Sequence, residues 1–388
     1  MRILHWFPNY THGGGVANAV TALAHAQASA GAEIAIASVD GAAPPLYGPQ
    51  AVHRSVDVLK WTSRFDVKAS GLVMRPPSTA SQELLRSWRP DIVHLHAEFA
   101  PDNVWPAKLF NVPLVLTFHG ALHPEVFVKS KQLRKRLYVK VASRSIYRRI
   151  GLFIALSPAE AHHIRSILPE RNIRIIPLGA AAISGSSPEP CQESHPHQPA
   201  GGSVSLVFVG RLDTYTKGLD LVLQGYGAAR HDLGSQLGGL TLVGPDWKNG
   251  RSTLERLVDD LDLRDSVCFT GEVPLDTVSQ YLMKGDIYVQ LSRHDAFPLS
   301  VVEALVAGKP AVLSSAIGTA SYREIAGLPH LRIVPPRASA MSAAVSDLVN
   351  AWPRIRTVAK EHREALRDFF DWERIANEHL AAYEELAG

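Results

Sequence analysis

The stretch QLSRHDAFPLSVVEALVAGKP, from Gln290 to Pro310, decides how the rest of this chain is interpreted. A strand-like run from Asp286 to Leu291 predicts a strand, and a polar turn follows it. Pro298 then predicts the start of a helix, because proline lacks an N–H that would have no partner there. The amides that follow, at Leu299 and Ser300, and the positive end of the helix dipole favour an anion. We therefore predict an anion site at this helix start.

Two acids flank the predicted anion site. Asp295 precedes the helix, and Glu303 lies four residues beyond Leu299, on the same face one turn further along. An acid on each side of a phosphate site is the arrangement expected for a nucleotide-sugar, whose hydroxyl groups flank a diphosphate. Taken alone, two such acids also occur in an ordinary strand–turn–helix of an α/β domain, so other segments must decide.

The composition predicts a globular protein of two domains. The chain has 388 residues, of which 46% are hydrophobic and 20% are charged. A net charge of +3 is too small to indicate a nucleic-acid partner. Two cysteines, Cys191 and Cys268, provide neither a disulfide framework nor clustered metal ligands. No apolar run reaches the roughly 18–20 residues of a membrane span, and the first ten residues lack the apolar segment of a signal peptide. We expect a cytoplasmic location.

Strand-like and helix-like segments alternate along both halves of the chain, which predicts parallel, doubly wound sheets. The strands are predicted at 2–7, 33–39, 91–96, 112–118, 150–156, 173–177, 204–209, 240–243, 267–269 and 311–314, with a helix at 16–30. A segment rich in proline, serine and glycine, 182–203, predicts a linker between domains 1–181 and 204–370.

A second phosphate signal follows the strand at 204–209. Gly210-Arg211 and Lys217-Gly218 place two cations at a strand-to-helix junction, where open parallel sheets bind ligands. Arginine offers a rigid fork to phosphate oxygens, while lysine supplies a compact charge. Arg211 and Lys217 are therefore predicted to hold a diphosphate.

The Asp295…Glu303 stretch and the Gly-Arg…Lys-Gly pair resemble motifs of the retaining GT-B glycosyltransferases, above all those of glycosyltransferase family 4. The resemblance implies an α/β, GT-B fold with two Rossmann-like domains whose parallel sheets face each other across a cleft. It also implies that a helix at 371–388 closes the N-terminal domain. The family usually has glutamate where this chain has Asp295, and the shorter side chain bears on the choice of donor sugar.

The resemblance implies an activity. A hexosyl group would pass from a nucleotide diphosphate sugar to a hydroxyl of a glycan or lipid-linked acceptor, with retention, in bacterial polysaccharide or glycolipid synthesis. The domain 1–181 would bind the acceptor and 204–370 the donor, with no metal required. The catalytic residues implied are Asp295, His119, Arg211 and Lys217. The donor-binding residues implied are Gly14, Gly15, Arg211, Lys217, Val273, Asp295, Leu299, Ser300 and Glu303.

The first glycine-rich loop leaves a different ligand open. Gly13-Gly14-Gly15 partly matches the dinucleotide fingerprint, and Asp40 could hold a ribose of NAD. The third glycine of the fingerprint is missing, so this match is weak. In the family 4 resemblance, the same loop faces the donor phosphates and the acceptor.

Histidines follow two of the predicted strands. His119 comes after the strand at 112–118 and is placed to meet a sugar, whereas His94 and His96 are interpreted as structural. A zinc site built from His119 and His123 lacks a third ligand nearby. The pattern Asp260-Leu261-Asp262 does not follow a hydrophobic strand, so we do not interpret it as a metal motif.

The segment 129–149 contains many bases and no acid, and predicts a helix with a broad basic face. Leu133, Leu137, Val139 and Val141 are expected away from that face. Most charge runs are only solvated, but such a face can also hold anionic lipid headgroups, at about 1 kcal/mol for each nearby base. No nucleic-acid-binding motif accompanies it. We predict peripheral docking on the inner face of a membrane.

Two other functions would use the same donor site. An epimerase or hydrolase would convert the sugar nucleotide without an acceptor, and a non-catalytic partner in polysaccharide assembly would bind no nucleotide. Because Arg211, Lys217 and Glu303 are all present, a transferase is the favoured prediction.

Overall fold

A computed structural model describes residues 1–8, 14–39, 56–60, 62, 67–69, 72–96, 101–128, 132–180 and 202–388. The chain divides into two compact units: Met1–Gly179 with Phe370–Gly388, and Ala180–Phe369. The predicted linker 182–203, apart from its last two residues, lies outside the described residues, as do Gly13 and Asp40.

The first unit contains a parallel sheet and a small antiparallel hairpin. In chain order its elements are β1 (Arg2–Trp6), α1 (Gly15–Ser29), β2 (Glu33–Ser38), β3 (Asp57–Lys60), β4 (Val67–Ala69), β5 (Leu72–Met74), α2 (Thr79–Ser87), β6 (Ile92–His96), α3 (Val104–Leu109), β7 (Leu114–Thr117), α4 (Gln132–Ser145), β8 (Ile150–Ala155), α5 (Pro158–Ile167) and β9 (Ile173–Ile175). Seven strands form the sheet, in the order β3-β2-β1-β6-β7-β8-β9, and β4 pairs with β5.

The second unit contains a six-stranded parallel sheet. Its elements are β10 (Val204–Val209), α6 (Leu219–Leu233), β11 (Leu237–Val243), α7 (Gly250–Asp260), β12 (Val267–Gly271), α8 (Leu275–Lys284), β13 (Ile287–Gln290), α9 (Leu299–Val306), β14 (Ala311–Ser314), α10 (Arg323–Ala326), β15 (Leu331–Val334), α11 (Ala338–Asn350), α12 (Trp352–Glu361) and α13 (Arg363–Phe369). The strand order is β12-β11-β10-β13-β14-β15. The order reverses between β10 and β13, so the loops that follow these two strands are neighbours at a binding crevice.

The last helix, α14 (Trp372–Ala387), belongs to the first unit and packs against α1. Successive residues of a strand point to opposite faces, so the first sheet buries a separate core on each face. One core includes Leu4, Trp6, Val93 and Leu95. The other includes Ile3, Ile92 and Val115 from the strands, Val20 and Ala24 from α1, and Ile375 and Tyr383 from α14.

The predicted α/β class with parallel sheets is confirmed, and the differences lie at element ends and in short strands that were not predicted. Strand β11 begins at Leu237 rather than at residue 240, because Gly238 and Gly239 join the strand although glycine disfavours one. The strands β3, β4, β5 and β15 were not predicted, since at three or four residues they are too short to show an alternating pattern.

Candidate functional site

An ion pair joins the two loops that follow β10 and β13. Lys217 Nζ lies 2.5 Å from Asp295 Oδ2, and the two side chains are only 16% and 17% exposed. Each residue was predicted separately to bind the donor, and the structure brings them together because β10 and β13 are adjacent strands. A cation and an anion are thus held side by side before the start of α9.

Two polar side chains of β13, Gln290 and Tyr288, form hydrogen bonds that connect Asp295 with the start of α9. Gln290 Nε2 donates to Ser292 Oγ at 2.9 Å and lies 3.4 Å from Asp295 Oδ2. The Tyr288 hydroxyl donates to Gln290 Oε1 at 2.6 Å and lies 2.9 Å from Ser300 Oγ. Burial first, and then the charges of Glu303 and Asp295, raise the pKa of Tyr288 far above its ordinary value. Tyr288 and Gln290 were not predicted from the sequence, since apart from their place on a strand nothing marks them.

Glu303 lies one turn inside α9, where desolvation raises the pKa of its carboxyl to about 7. A carboxyl with this pKa changes charge near neutrality. Leu299 and Ser300 occupy the first two positions of the same helix, after Pro298, and both are half-buried. The predicted helix start is confirmed, with Asp295 before the helix and Glu303 inside it.

The turn at Lys217-Gly218 approaches β13 closely. Gly218 has a φ of 66°, and a Cβ atom there would lie 2.1 Å from the carbonyl oxygen of Leu291. Only glycine fits this position, because a side chain would be strained and would collide with backbone. The absence of a side chain at Gly218 therefore lets the preceding Lys217 reach Asp295.

A second ion pair connects the loop after β13 with the first turn of α6. Arg293 donates from both terminal nitrogens to the carboxylate of Asp220, at 2.8 and 2.7 Å, and also to the carbonyl of Tyr215 at 2.8 Å. The bonds to Asp220 raise the pKa of Arg293 above its ordinary value. Sequence reasoning missed this pair, although the position of Arg293 in the central motif was a signal.

Arg211 is exposed, and its guanidinium stacks on the ring of Trp247 at 4.2 Å. Such a stack fixes a planar cation without neutralising its charge. Val273 follows β12 and is half-buried. Arg211 and Val273 thus lie after β10 and β12 of the same sheet, and Trp247 is a contributor that the sequence did not reveal.

Gly14 and Gly15 of the first unit begin helix α1. Gly14 is the N-cap with a φ of 50°, a backbone conformation that favours glycine, and a Cβ atom at either glycine would meet nothing within 4 Å. His119 follows β7, also with a positive φ, 52°. The buried carboxylate of Glu160 accepts from the amides of Gly120 and Leu156, at 2.6 and 2.7 Å, and so anchors the turn that holds His119.

Burial lowers the pKa of His119 to about 4, so this imidazole is neutral at physiological pH. His94 and His96, predicted to be structural, are fully buried and hydrogen-bonded. His5, His94 and His96 place three ring nitrogens within 4.8 Å of one another, a spacing that a metal ion could use. The sequence reasoning weighed only His119 and His123 for zinc and overlooked this group. His123 Nδ1 instead accepts a hydrogen bond from the amide of Glu125.

Helix α4 occupies most of the predicted basic segment, whose residues 129–131 lie outside the described residues. Its exposed face is apolar as well as basic. Leu133, Leu137 and Val141 are 82%, 59% and 57% exposed, whereas Val139 is buried. The first three recur every four residues and lie on one face, beside the exposed bases Arg136 and Lys140. Among the described helices, none is long and apolar enough to cross a membrane.

Comparison with known proteins places this arrangement in a family. Residues 13–181 match the profile of Glycosyltransferase Family 4, and residues 192–366 match that of Glycosyl transferases group 1. The chain is a GT-B glycosyltransferase of the family 4 type. The 2-deoxystreptamine N-acetyl-D-glucosaminyltransferase of Streptomyces fradiae is 28% identical over 304 residues, which cover 74% of this chain and 68% of the relative.

Solved structures show the same GT-B fold. Sucrose-phosphate synthase from Thermosynechococcus elongatus matches this glycosyltransferase with a TM-score of 0.73 and 20% identity, over 100% of this chain and 99% of the other. HepE from Anabaena, in complex with UDP and glucose, matches with a TM-score of 0.73 and 17% identity, over 99% of this chain and 100% of the other. The predicted family, fold and enzyme class are therefore confirmed.

Proposed function

We propose that this glycosyltransferase moves a hexosyl group from a nucleotide diphosphate sugar to a hydroxyl of a glycan or lipid-linked acceptor, with retention at the anomeric carbon. The observation that carries the proposal is the Lys217–Asp295 pair before the start of α9. Its ammonium can bind phosphate oxygens while its carboxylate accepts from sugar hydroxyls. The HepE structure, which has the same fold and holds UDP and glucose, supports a donor of this class.

The donor diphosphate would be bound by charge and by backbone amides. Lys217 has three N–H donors and uses one on Asp295, so two remain for phosphate oxygens. Arg211 and the amides of Leu299 and Ser300 would bind the other oxygens. Together these groups neutralise a leaving diphosphate, so we propose that the reaction requires no metal. Glu303 would accept from the ribose hydroxyls, and the backbone at Val273 would bind the base.

In the proposed step, the bond from the anomeric carbon to the diphosphate oxygen breaks, and the acceptor oxygen bonds to that carbon on the same face. The acceptor proton passes to the departing diphosphate, so no protein base is assigned. Arg211 and Lys217 stabilise the negative charge that develops on the diphosphate, and preorganised donors of this kind lower the barrier. In the first unit, His119, with Gly14 and Gly15, would bind the donor or a sugar hydroxyl.

The test is nucleotide binding followed by product analysis. Thermal unfolding is measured with UDP, GDP, ADP, dTDP and NAD, without metal and then with magnesium. A nucleotide at about 100 times its Kd stabilises the fold by about 2.7 kcal/mol, which is readily detected. We expect metal-independent stabilisation by one nucleoside diphosphate, lost in Lys217→Ala and kept in Arg264→Ala, which removes an exposed cation from the same unit.

The outcomes separate the alternatives. Stabilisation by NAD alone would overturn the proposal and return attention to the first glycine loop. Fast consumption of the sugar nucleotide without an acceptor would indicate a hydrolase or epimerase. Absence of nucleotide binding would indicate a non-catalytic assembly partner. An NMR spectrum of the product that shows inversion at the anomeric carbon would contradict retention.

We also propose that α4 docks on an anionic membrane surface, where a lipid-linked acceptor of bacterial polysaccharide or glycolipid synthesis would lie. Exposed Leu133, Leu137 and Val141 would enter the headgroup layer while Arg136 and Lys140 bind lipid phosphates. We expect the protein to sediment with phosphatidylglycerol vesicles and not with phosphatidylcholine vesicles. Leu137→Ser should weaken sedimentation, whereas Leu84→Ser, at an exposed leucine of α2, should not. Protein that stays in the supernatant at low salt would end this proposal.

A further inference from the structure

A chain of hydrogen bonds between buried side chains ends at His119. His5 on β1 stands opposite His94 on β6, and His96 stands opposite Thr117 on β7. Because residues two apart on a strand share a face, these side chains all point to one side of the sheet. That side is covered by α1 and α14, which contribute Gln27 and Tyr383.

The links of the chain are short. Gln27 Oε1 lies 2.8 Å from His5 Nε2, His5 Nδ1 lies 2.8 Å from His96 Nε2, and His96 Nδ1 lies 3.1 Å from His119 Nε2. We call these four residues the histidine chain. Each imidazole in it uses its two nitrogens on different partners, apart from His119, which is the last member. Within the described part of the structure, no residue bonds His119 Nδ1.

The direction of the histidine chain follows from the amide at its far end. A carbonyl oxygen can only accept, so His5 Nε2 must carry the proton that is donated to Gln27. A neutral imidazole has one donor and one acceptor, so His5 Nδ1 accepts from His96 Nε2. By the same rule, His96 Nδ1 accepts from His119 Nε2. His119 is then left with Nδ1 as a lone-pair acceptor.

A second branch agrees with this orientation of the Gln27 amide. Gln27 Nε2 donates to the Tyr383 hydroxyl at 3.4 Å, and that hydroxyl donates to His94 Nδ1 at 2.7 Å. His94 Nε2 then donates to Thr117 Oγ1 at 2.8 Å. The 2.8 Å contact of the amide oxygen with His5 is much shorter than the contact of its nitrogen with Tyr383, as expected if the oxygen is the acceptor for His5.

The rule of one donor and one acceptor requires that the imidazoles stay neutral. Burial lowers the pKa of His5 and of His119 to about 4, and it lowers the pKa of His96 well below its ordinary value. A protonated imidazole would donate from both nitrogens and would leave two donors facing each other. While the imidazoles are neutral, every hydrogen bond of the histidine chain is donated in the same direction, from His119 towards Gln27.

The same histidines provide the metal-like spacing of His5, His94 and His96. A metal ion there would have to replace existing hydrogen bonds, because both nitrogens of each of the three rings already have a partner within 3.1 Å. A metal ligand also needs a nitrogen that carries no proton and accepts no hydrogen bond. The observed contacts thus fit a hydrogen-bonded chain better than a metal site.

We propose that Gln27, His5 and His96 are positioning residues that hold His119 in its Nε2-protonated tautomer, so that Nδ1 accepts a hydrogen bond from a hydroxyl of the bound sugar. The part about the sugar rests on the proposed function, whereas the tautomer is a property of the unliganded protein. The left-handed turn at His119, anchored through Gly120 by Glu160, fixes the ring at the end of the chain. A sugar hydroxyl then meets an acceptor that requires no reorganisation.

The test reads the tautomer directly. Protein labelled with ¹⁵N in the histidine rings is studied by long-range ¹H–¹⁵N NMR, and His119→Asn identifies the signals of His119. We expect a protonated Nε2 and an unprotonated Nδ1 in the full-length, unliganded protein at neutral pH. In Gln27→Met, which has a similar volume but no acceptor for His5, we expect both tautomers of His119. Thr117→Val, which alters only the second branch, should leave the His119 signals as in the parent protein.

The outcomes are decisive even if Gln27→Met does not fold, because the spectrum of the parent protein can contradict the proposal alone. A protonated Nδ1 on His119 would overturn it, as would an unchanged tautomer in folded Gln27→Met. Added zinc that shifts His5, His94 and His96 together would indicate a metal site instead. With the two tautomers of His119 comparably populated, about half of the molecules present the Nδ1 acceptor, so kcat should fall by about twofold, with nucleotide affinity unchanged. If His119 has a single tautomer but the protein transfers no sugar, the proposed function is refuted while the role of the histidine chain stands.

Discussion

Lys217 Nζ lies 2.5 Å from Asp295 Oδ2 although 78 residues separate the two in the sequence. The contact unites a residue proposed to bind phosphate with one proposed to bind the sugar. Its short length means that a change in either residue alters the other.

Lys217→Ala should slow transfer by about 10²-fold or more, as the loss of one charge donor to a transition state does. The change also leaves Asp295 without its partner, so nucleotide affinity should fall with the rate. Initial rates and calorimetric titration measure the two effects. Arg264→Ala, an exposed cation on the same unit, is the control and should behave as the parent protein does. Full activity in folded Lys217→Ala would refute the phosphate assignment.

Asp295→Glu should change the preference among donor sugars. The longer side chain cannot keep its carboxylate at 2.5 Å from Lys217 without moving the lysine or itself, so the sugar hydroxyls meet a displaced acceptor. Initial rates with a panel of nucleotide sugars test this prediction. Asp259→Glu, on the exposed part of α7, provides the matched lengthening at a remote acid. An identical donor profile for Asp295→Glu and the parent would contradict it.

Nucleotide affinity should weaken as the pH is lowered through about 7. Desolvation raises the pKa of Glu303 to about 7, and only the ionised carboxylate can accept from both ribose hydroxyls. Protons and nucleotide therefore compete, and the Kd rises on the acid side. Calorimetry on both sides of pH 7 measures this. Glu303→Gln should bind nucleotide more weakly, and its Kd should lack the pH dependence that the Glu303 carboxyl causes. Any pH dependence that remains in this variant then comes from the diphosphate itself. Parallel curves for the two proteins would argue against the role of Glu303.

Acid should destabilise the first unit between pH 6.5 and about 4. Burial lowers the pKa of His5 and His379 from 6.5 to about 4. Between pH 6.5 and about 4 these histidines are protonated in the unfolded chain but stay neutral in the folded chain. The free energy of unfolding therefore decreases as the pH is lowered, by about 1.4 kcal/mol per pH unit for each such histidine. Above pH 6.5 both states are neutral and no loss occurs.

Urea unfolding across this range checks the acid effect. His379→Leu removes one buried imidazole, and its stability should fall less steeply than that of the parent. His231→Gln removes an exposed imidazole and should not change the slope. Equal slopes for His379→Leu and the parent would show that His379 is protonated equally in the folded and unfolded states.

Gly218→Ala should destabilise the second unit and reduce activity, because its Cβ would lie 2.1 Å from the Leu291 carbonyl. Gly218 is left-handed, with φ 66° and ψ 31°, so an alanine there costs roughly 1–2 kcal/mol even without the collision. We therefore expect urea unfolding to show a loss of unfolding free energy larger than this range. A loss within the range would show that the loop relaxes to relieve the collision.

The second unit was largely predictable because its signals are local. Most of its parallel strands are largely apolar runs, although β15 was not predicted. Gly210-Arg211, Lys217-Gly218 and Pro298 lie directly at strand or helix ends. Local patterns do not state which strands are neighbours, so the 2.5 Å contact of Lys217 with Asp295 was not predictable. The stack of Arg211 on Trp247 was missed for the same reason.

The histidine chain was less accessible from the sequence. His5, Gln27 and His96 belong to three separate elements, and the orienting hydroxyl, Tyr383, comes from α14 at a separation of 356 residues from Gln27. One signal was available: histidines near the ends of two apolar strands meet if those strands are paired in parallel. Neither the pairing of those strands nor its register can be predicted from local sequence patterns.

The position of α14 has a consequence for biosynthesis. Tyr383 and Ile375 complete a core of the first unit, yet every residue of the second unit is translated before them. Domains commonly fold as they emerge from the ribosome, the N-terminal one first. Until α14 is translated, the first unit lacks the part of this core that α14 supplies, while the second unit can already fold. We expect ribosome-bound chains that stop at Phe369 to protect the second unit from protease before the first.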